Sequence, residues 1–133
     1  MNLVTDRVAP DAAVLALEGE LDAANYRELV DAGVALYADG VRRLVLDLAD
    51  LAYMSSSGIV ALHSLVLVYA GHPLPDLDAP VETSSDTGPA TTGGAVSDAI
   101  RLVAPQPVVQ RGLKRTGFAE ILRVFPDRAS ALA

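Results

Sequence analysis

The sequence predicts a single α/β domain whose mixed sheet of four to five strands carries packed helices in the order β-β-α-β-α-loop-β-α-β-α. Three observations predict it. The chain has 133 residues, 51% of them apolar, which is the length and composition of one compact domain with its own core. Short apolar runs of strand type alternate with segments whose apolar residues recur at helical spacing. One run, Leu44-Val45-Leu46-Asp47-Leu48, is almost unbroken and suits a central strand covered on both faces.

The elements follow in order. Leu3 to Val8 alternates loosely, as an edge strand does, and Pro10-Asp11 makes the turn. Val14 to Glu18 is the second strand of a hairpin, and Gly19-Glu20-Leu21-Asp22 ends it. Asp22 or a neighbour then caps a helix through about Ala38, with Tyr26, Leu29, Val30, Val34 and Tyr37 as its apolar stripe. Gly33 lies beside that stripe. A mid-helix Gly costs about 1 kcal/mol against Ala, so close packing on the sheet is its expected reason. Asp39-Gly40 stops the helix. After the central strand, Ala49 to Met54 reads as a loop, then Ser55-Ser56-Ser57-Gly58 opens an apolar helix that ends near Tyr69. Ile100 to Ala104 is a further strand. Pro107 suits the first turn of the next helix, Val108, Val109 and Leu113 face inward, and Gly117 caps it. Val124-Phe125 makes a last short strand, and 127–132 a terminal helix.

Between these halves, residues 71–98 are rich in Pro, Gly, Ser, Thr and Asp, with five acids and no base. They read as a flexible acidic insertion within one domain spanning 1–133. Ten Lys and Arg against 17 Asp and Glu give a net charge of −7, which disfavours nucleic acid and anionic lipid as partners. Residues 100–133 depart from this, with six bases and two acids. The absence of Cys excludes disulfides, thiolate metal sites and cysteine nucleophiles, and two His make a His-built metal site unexpected. The first ten residues carry Asp6 and Arg7 and no apolar core of a signal peptide. The most apolar stretch, 59–70, contains His63 and Ser64 and falls short of the ~20 residues a membrane span needs. The expectation is a soluble, cytoplasmic protein without metal or cofactor.

The serine cluster carries the most chemistry. The first turn of a helix has unpaired N–H groups and the positive end of the helix dipole, so it stabilises an anion. A hydroxyl there is a candidate phosphoryl acceptor, and a phosphate adds about −1.5 to −2 charge. The simpler role is that Ser is a good N-cap.

The segment Asp47-Leu48-Ala49-Asp50-Leu51-Ala52-Tyr53-Met54-Ser55-Ser56-Ser57-Gly58-Ile59 resembles the signature of the STAS domain family, in its anti-anti-sigma factor branch. Gly19-Glu20-Leu21-Asp22 is similar to that family's early Gly-Glu-Leu-Asp element, and Ala104 to Phe125, through Thr116, Gly117, Phe118 and Ile121, to its third helix and last strand. The resemblance covers about 1–70 and 100–133. It implies an anti-sigma factor antagonist that is no enzyme. Its partner would be an anti-sigma factor with serine kinase activity, released when the kinase phosphorylates one serine and regained when a phosphatase resets it. The motif places the acceptor at Ser56 and the partner surface at Asp22, Met54, Ser55, Ser56, Ser57, Gly58 and Ile59. The sequence departs from the pattern at Ser55, where the family has Asp; a Ser there bonds without charge. Two alternatives stay open: an unphosphorylated STAS module of a larger signalling assembly, and a STAS domain that binds a nucleotide or other small ligand.

Other signals are weaker. Asp86-Thr87-Gly88 matches an aspartic-protease tripeptide but has no second copy. Neither His63 nor His72 stands in a motif that would make it the base for a serine nucleophile, and no Gly-x-Ser-x-Gly elbow occurs. Arg111, Lys114, Arg115 and Arg123 read as a solvated basic helix face, with partner or nucleotide contact as the second reading.

Overall fold

The predicted order of elements holds, with one added helical turn. A computed structural model describes residues 1–74 and 97–132. Its elements are β1 (Asn2–Ala9), β2 (Ala12–Leu21), α1 (Tyr26–Ala38), β3 (Arg43–Met54), α2 (Ser56–Tyr69), β4 (Ser97–Val103), α3 (Pro107–Thr116), the extra turn α4 (Phe118–Ile121), β5 (Leu122–Phe125) and α5 (Arg128–Leu132). Residues 75–96, most of the expected acidic insertion and all of Asp86-Thr87-Gly88, lie outside the described residues.

The five strands stand in chain order across one sheet. β1 and β2 form the antiparallel hairpin, and β2, β3, β4 and β5 run parallel. Strand alternation divides the apolar residues between two faces. Leu15, Leu17, Leu44, Leu46, Leu48, Ile100 and Leu102 join the main core with α1, α2 and α3. Val14, Val45 and Val103 point the other way, onto Ala131 and Leu132 of α5. The Arg43 and Arg101 side chains donate to the carbonyls of Leu132 and Ala131, and Arg128 pairs with Asp47 at 2.7 Å. The central run is thus covered on both sides, as its sequence predicts, while β1 is a mostly exposed edge.

Four local expectations need correction. The stretch Ala49 to Met54 is strand, because β2 continues to Leu21 and pairs with it as far as Leu21↔Met54. The register slips twice, between Ala16 and Glu18 and between Gly19 and Glu20, and β3 takes up an extra residue each time. Such bulges break the two-residue period, so the segment resembles a loop in sequence. Second, α1 starts at Tyr26 rather than at Asp22. Asp22 Oδ1 accepts from Ala24 N and Asn25 Oδ1 from Asp22 N, which builds a turn before the helix. Third, Gly33 packs on α2 and not on the sheet. A Cβ there would stand 2.4 Å from Leu65 Cδ2, and the Tyr69 hydroxyl donates to the Gly33 carbonyl at 2.7 Å. Fourth, Val109 and Leu113 are buried but Val108 is 44% exposed. One residue is a 100° turn of the helix, and it carries Val108 off the inner face.

Candidate functional site

The serine cluster stands at the carboxyl end of the parallel strands. Leu21 and Met54 are the last residues of β2 and β3, and they pair with each other. The chain then turns directly into α2, held by a 2.9 Å bond from Ser55 N to the Leu21 carbonyl. Ser55 has extended backbone angles and is the N-cap: its Oγ accepts from Ser57 N at 3.2 Å. This settles which hydroxyl caps the helix. Ser55 is engaged, and Ser56, the first helical residue, is exposed.

The close approach of α2 to the strand ends rests on Gly58, which is buried. A Cβ there would meet Met54 Cγ at 2.5 Å and Leu21 Cδ2 at 3.0 Å. Farther along the helix the Ser64 hydroxyl, itself buried, donates to the Val60 carbonyl at 2.9 Å. His63 lies edge-on to Phe118 at 6.1 Å, where burial holds its pKa below the ordinary value.

The second wall of the site comes from α3. This helix is anchored to β3 by a 2.8 Å bond from Gln106 Nε2 to the Ala49 carbonyl, and by Val109 and Leu113 in the core. Its opposite stripe is Val108, Arg111, Gly112 and Arg115, spaced three and four apart. That stripe faces Tyr53, Met54, Ser55 and Ser56 across an open depression of about 390 Å³. Tyr53 is 47% exposed and Val108 44%, so the rim presents apolar surface to solvent.

Of the expected site residues, Met54, Ser55 and Ser56 line the depression. Ser57 stands half-buried behind them, and Gly58 is buried beneath. Ile59 is half-buried and packs against the core. Asp22 follows Leu21 and is half-buried in its own turn; it does not line the depression. Tyr53, Val108, Arg111, Gly112 and Arg115 complete the site; the sequence offers partner contact only as the second reading of Arg111 and Arg115, and places none of the five beside the serines. Their signal is present in the sequence: the 108/111/112/115 spacing separates one face of α3 from the 109/113 face. Nothing in the sequence says that this face meets the serines.

The lining offers hydroxyls, a phenol, two guanidiniums and apolar groups, with no carboxylate or imidazole. Such a surface suits docking and anion binding, and it holds no general base for a serine nucleophile. Among the described residues no cluster of His, Cys, Asp or Glu could hold a metal ion, and no helix is long and apolar enough to cross a membrane.

Comparison with known proteins agrees with this architecture. The family described as Mlab, STAS domain, matches residues 4–74. An anti-sigma factor antagonist from Mycobacterium paratuberculosis superposes with a TM-score of 0.68 at 21% identity, covering 98% of this chain and 90% of that one. The anti-sigma factor antagonist SpoIIAA in its unphosphorylated form gives 0.65 at 18% identity, covering 98% and 93%. The Bacillus cell fate determinant SpoIIAA in its phosphorylated form gives 0.58 at 18% identity, covering 98% and 96%. At these identities the likeness is one of fold. No curated protein matches the sequence.

Proposed function

The chain belongs to the STAS domain family, and from that premise we propose that it is an anti-sigma factor antagonist: a cytoplasmic, non-enzymatic binding module. In this reading it docks on an anti-sigma factor that is also a serine kinase, phosphorylation of Ser56 ends the association, and a phosphatase restores it. The observation that carries the reading is the division of labour between neighbouring hydroxyls. Ser55 caps α2, which leaves Ser56 exposed in the wall of a depression rimmed by Tyr53 and Val108. Unmodified, this surface offers apolar contact, neutral hydroxyls and two guanidiniums. A phosphate adds about −1.5 to −2 charge where the partner must exclude water. Leaving a charge desolvated costs several kcal/mol, and each 1.4 kcal/mol is about tenfold in affinity.

The test is capture from the source cell with Ser56→Ala and Ser56→Asp baits, joined to mass spectrometry of the native protein after incubation with the captured kinase and ATP. The reading expects one partner held by Ser56→Ala and lost by Ser56→Asp, with phosphate on Ser56. Capture that ignores both substitutions would refute it. A second reading is favoured by Ser55, which caps the helix without the carboxylate of the resemblance: a STAS module that docks through the same surface and is never phosphorylated. It predicts sustained capture by the native protein with no modification at Ser56.

A further inference from the structure

We infer that Arg111 and Arg115 are the intramolecular counter-charges of a phosphate carried on Ser56, so that the modified state pairs with itself across the depression. The inference rests on the reading of Ser56 as a phosphoryl acceptor and adds how the modified state is held.

Several observations converge on the two arginines. Both line the depression that Ser56 lines, from the facing wall. They stand four apart on one stripe of α3, and both are exposed. Gly112 lies between them with nothing within 4 Å of a would-be Cβ, so the space above the helix is open. Among the described residues the ion pairs Arg7–Asp39 and Arg128–Asp47 use other arginines, and no carboxylate pairs with Arg111 or Arg115. Like charges at this spacing weaken a helix. Arg115, in the last turn, recovers some of that from the helix dipole; Arg111, a turn earlier, gains little from it. Two adjacent cations facing a hydroxyl, on a chain of net charge −7, are therefore not explained by the stability of α3.

The chemistry and the space both fit. Guanidiniums match phosphate oxygens with paired N–H donors. At about 30 Å³ per water, a depression of about 390 Å³ takes a phosphate monoester together with its nearest waters. The modification transfers the γ-phosphoryl group of ATP. The Ser56 Oγ–P bond forms, the bond from the γ-phosphorus to the bridging oxygen breaks, ADP departs, and the hydroxyl proton passes to the kinase or to water. The new group then fills the depression between Tyr53 and Val108. It takes the guanidiniums and the docking space at the same time.

The experiment uses the full chain with phosphoserine installed at position 56 during synthesis, so neither kinase nor partner is needed. The second ionisation of the phosphate is followed by ³¹P NMR. In the native chain it falls about half a unit or more below its value in R111Q/R115Q, and 1 M salt shrinks the difference. R111K/R115K retains a lowered value, which separates charge from any loss of fold. The same ionisation point in the native and R111Q/R115Q chains overturns the inference, even if both lie below a free phosphoserine, because the helix start alone would then account for it. The docking reading fails separately, if the phosphorylated chain still captures the partner.

Discussion

Replacing Gly58 by Ala tests the packing on which the site is built. In an open helical position the change stabilises by up to about 1 kcal/mol, because Gly carries the larger entropy loss on folding. At position 58 the new Cβ would lie 2.5 Å from Met54 Cγ, and 3.0 and 3.1 Å from Leu21 Cδ2 and Cγ. Carbon atoms rest about 3.5–4.0 Å apart, so Met54 must retreat by about 1 Å and Leu21 by about half of that. Met54 is half-buried and has room to turn. Leu21 is fully buried, and its carbonyl holds Ser55 N. Overpacking of this kind costs about 1–3 kcal/mol, which exceeds the propensity gain. The net expectation is a loss of up to about 2 kcal/mol. Gly112→Ala is the control, since its Cβ meets nothing within 4 Å; it gains up to about 1 kcal/mol. Urea denaturation of both variants reads the difference as midpoints that move in opposite directions at unchanged slope. If Gly58→Ala proves as stable as Gly112→Ala, the close approach of α2 to the strand ends does not depend on that glycine and the packing argument is wrong.

Other expectations follow from the same geometry. Ser55→Ala loses the cap and about 1 kcal/mol of stability, whereas Ser55→Asp keeps it and adds a favourable charge at the helix start; thermal or urea unfolding of the pair decides this. Tyr69→Phe removes the 2.7 Å bond to the Gly33 carbonyl and costs about 0.5–1.5 kcal/mol by urea unfolding. Burial pushes the Tyr69 phenol from 10.0 up to about 12, against the opposing charge of Arg42. The unfolded chain therefore loses this proton first. The stability it contributes is complete below pH 10, fades as pH rises from there toward 12, and this part of the alkaline decline vanishes in Tyr69→Phe. His63 has the opposite sense. Desolvation lowers its pKa from 6.5, so the unfolded chain binds the proton more readily and stability falls as pH drops below that value. An NMR titration of the ring, with His63→Gln removing that part of the acid slope, checks it.

The local rules of the chain were legible where one residue's neighbours decide its state. The helix punctuation at Gly40 and Gly117, both left-handed, follows from residue type, as does Pro107 in the first turn of α3. The central strand announced itself because burial on both faces removes every polar residue but Asp47 from the run Leu44 to Leu48. The serine cluster was legible as a helix start. Its division into a capping Ser55 and an exposed Ser56 was not, because three adjacent hydroxyls satisfy the same preference and only the backbone angles at Ser55 choose among them.

What the sequence alone determined is the order and type of the elements, the family and the position of the hydroxyls, since each depends on side-chain chemistry and spacing within a short segment. Tertiary structure decided the rest. The bulges between β2 and β3 turned an apparent loop into strand, Gly33 met a helix instead of the sheet, and the outer stripe of α3 came to face Ser56. Those outcomes depend on contacts between segments more than thirty residues apart, or on register shifts that erase periodicity. A sequence records which faces exist, and only the packed chain determines which faces meet.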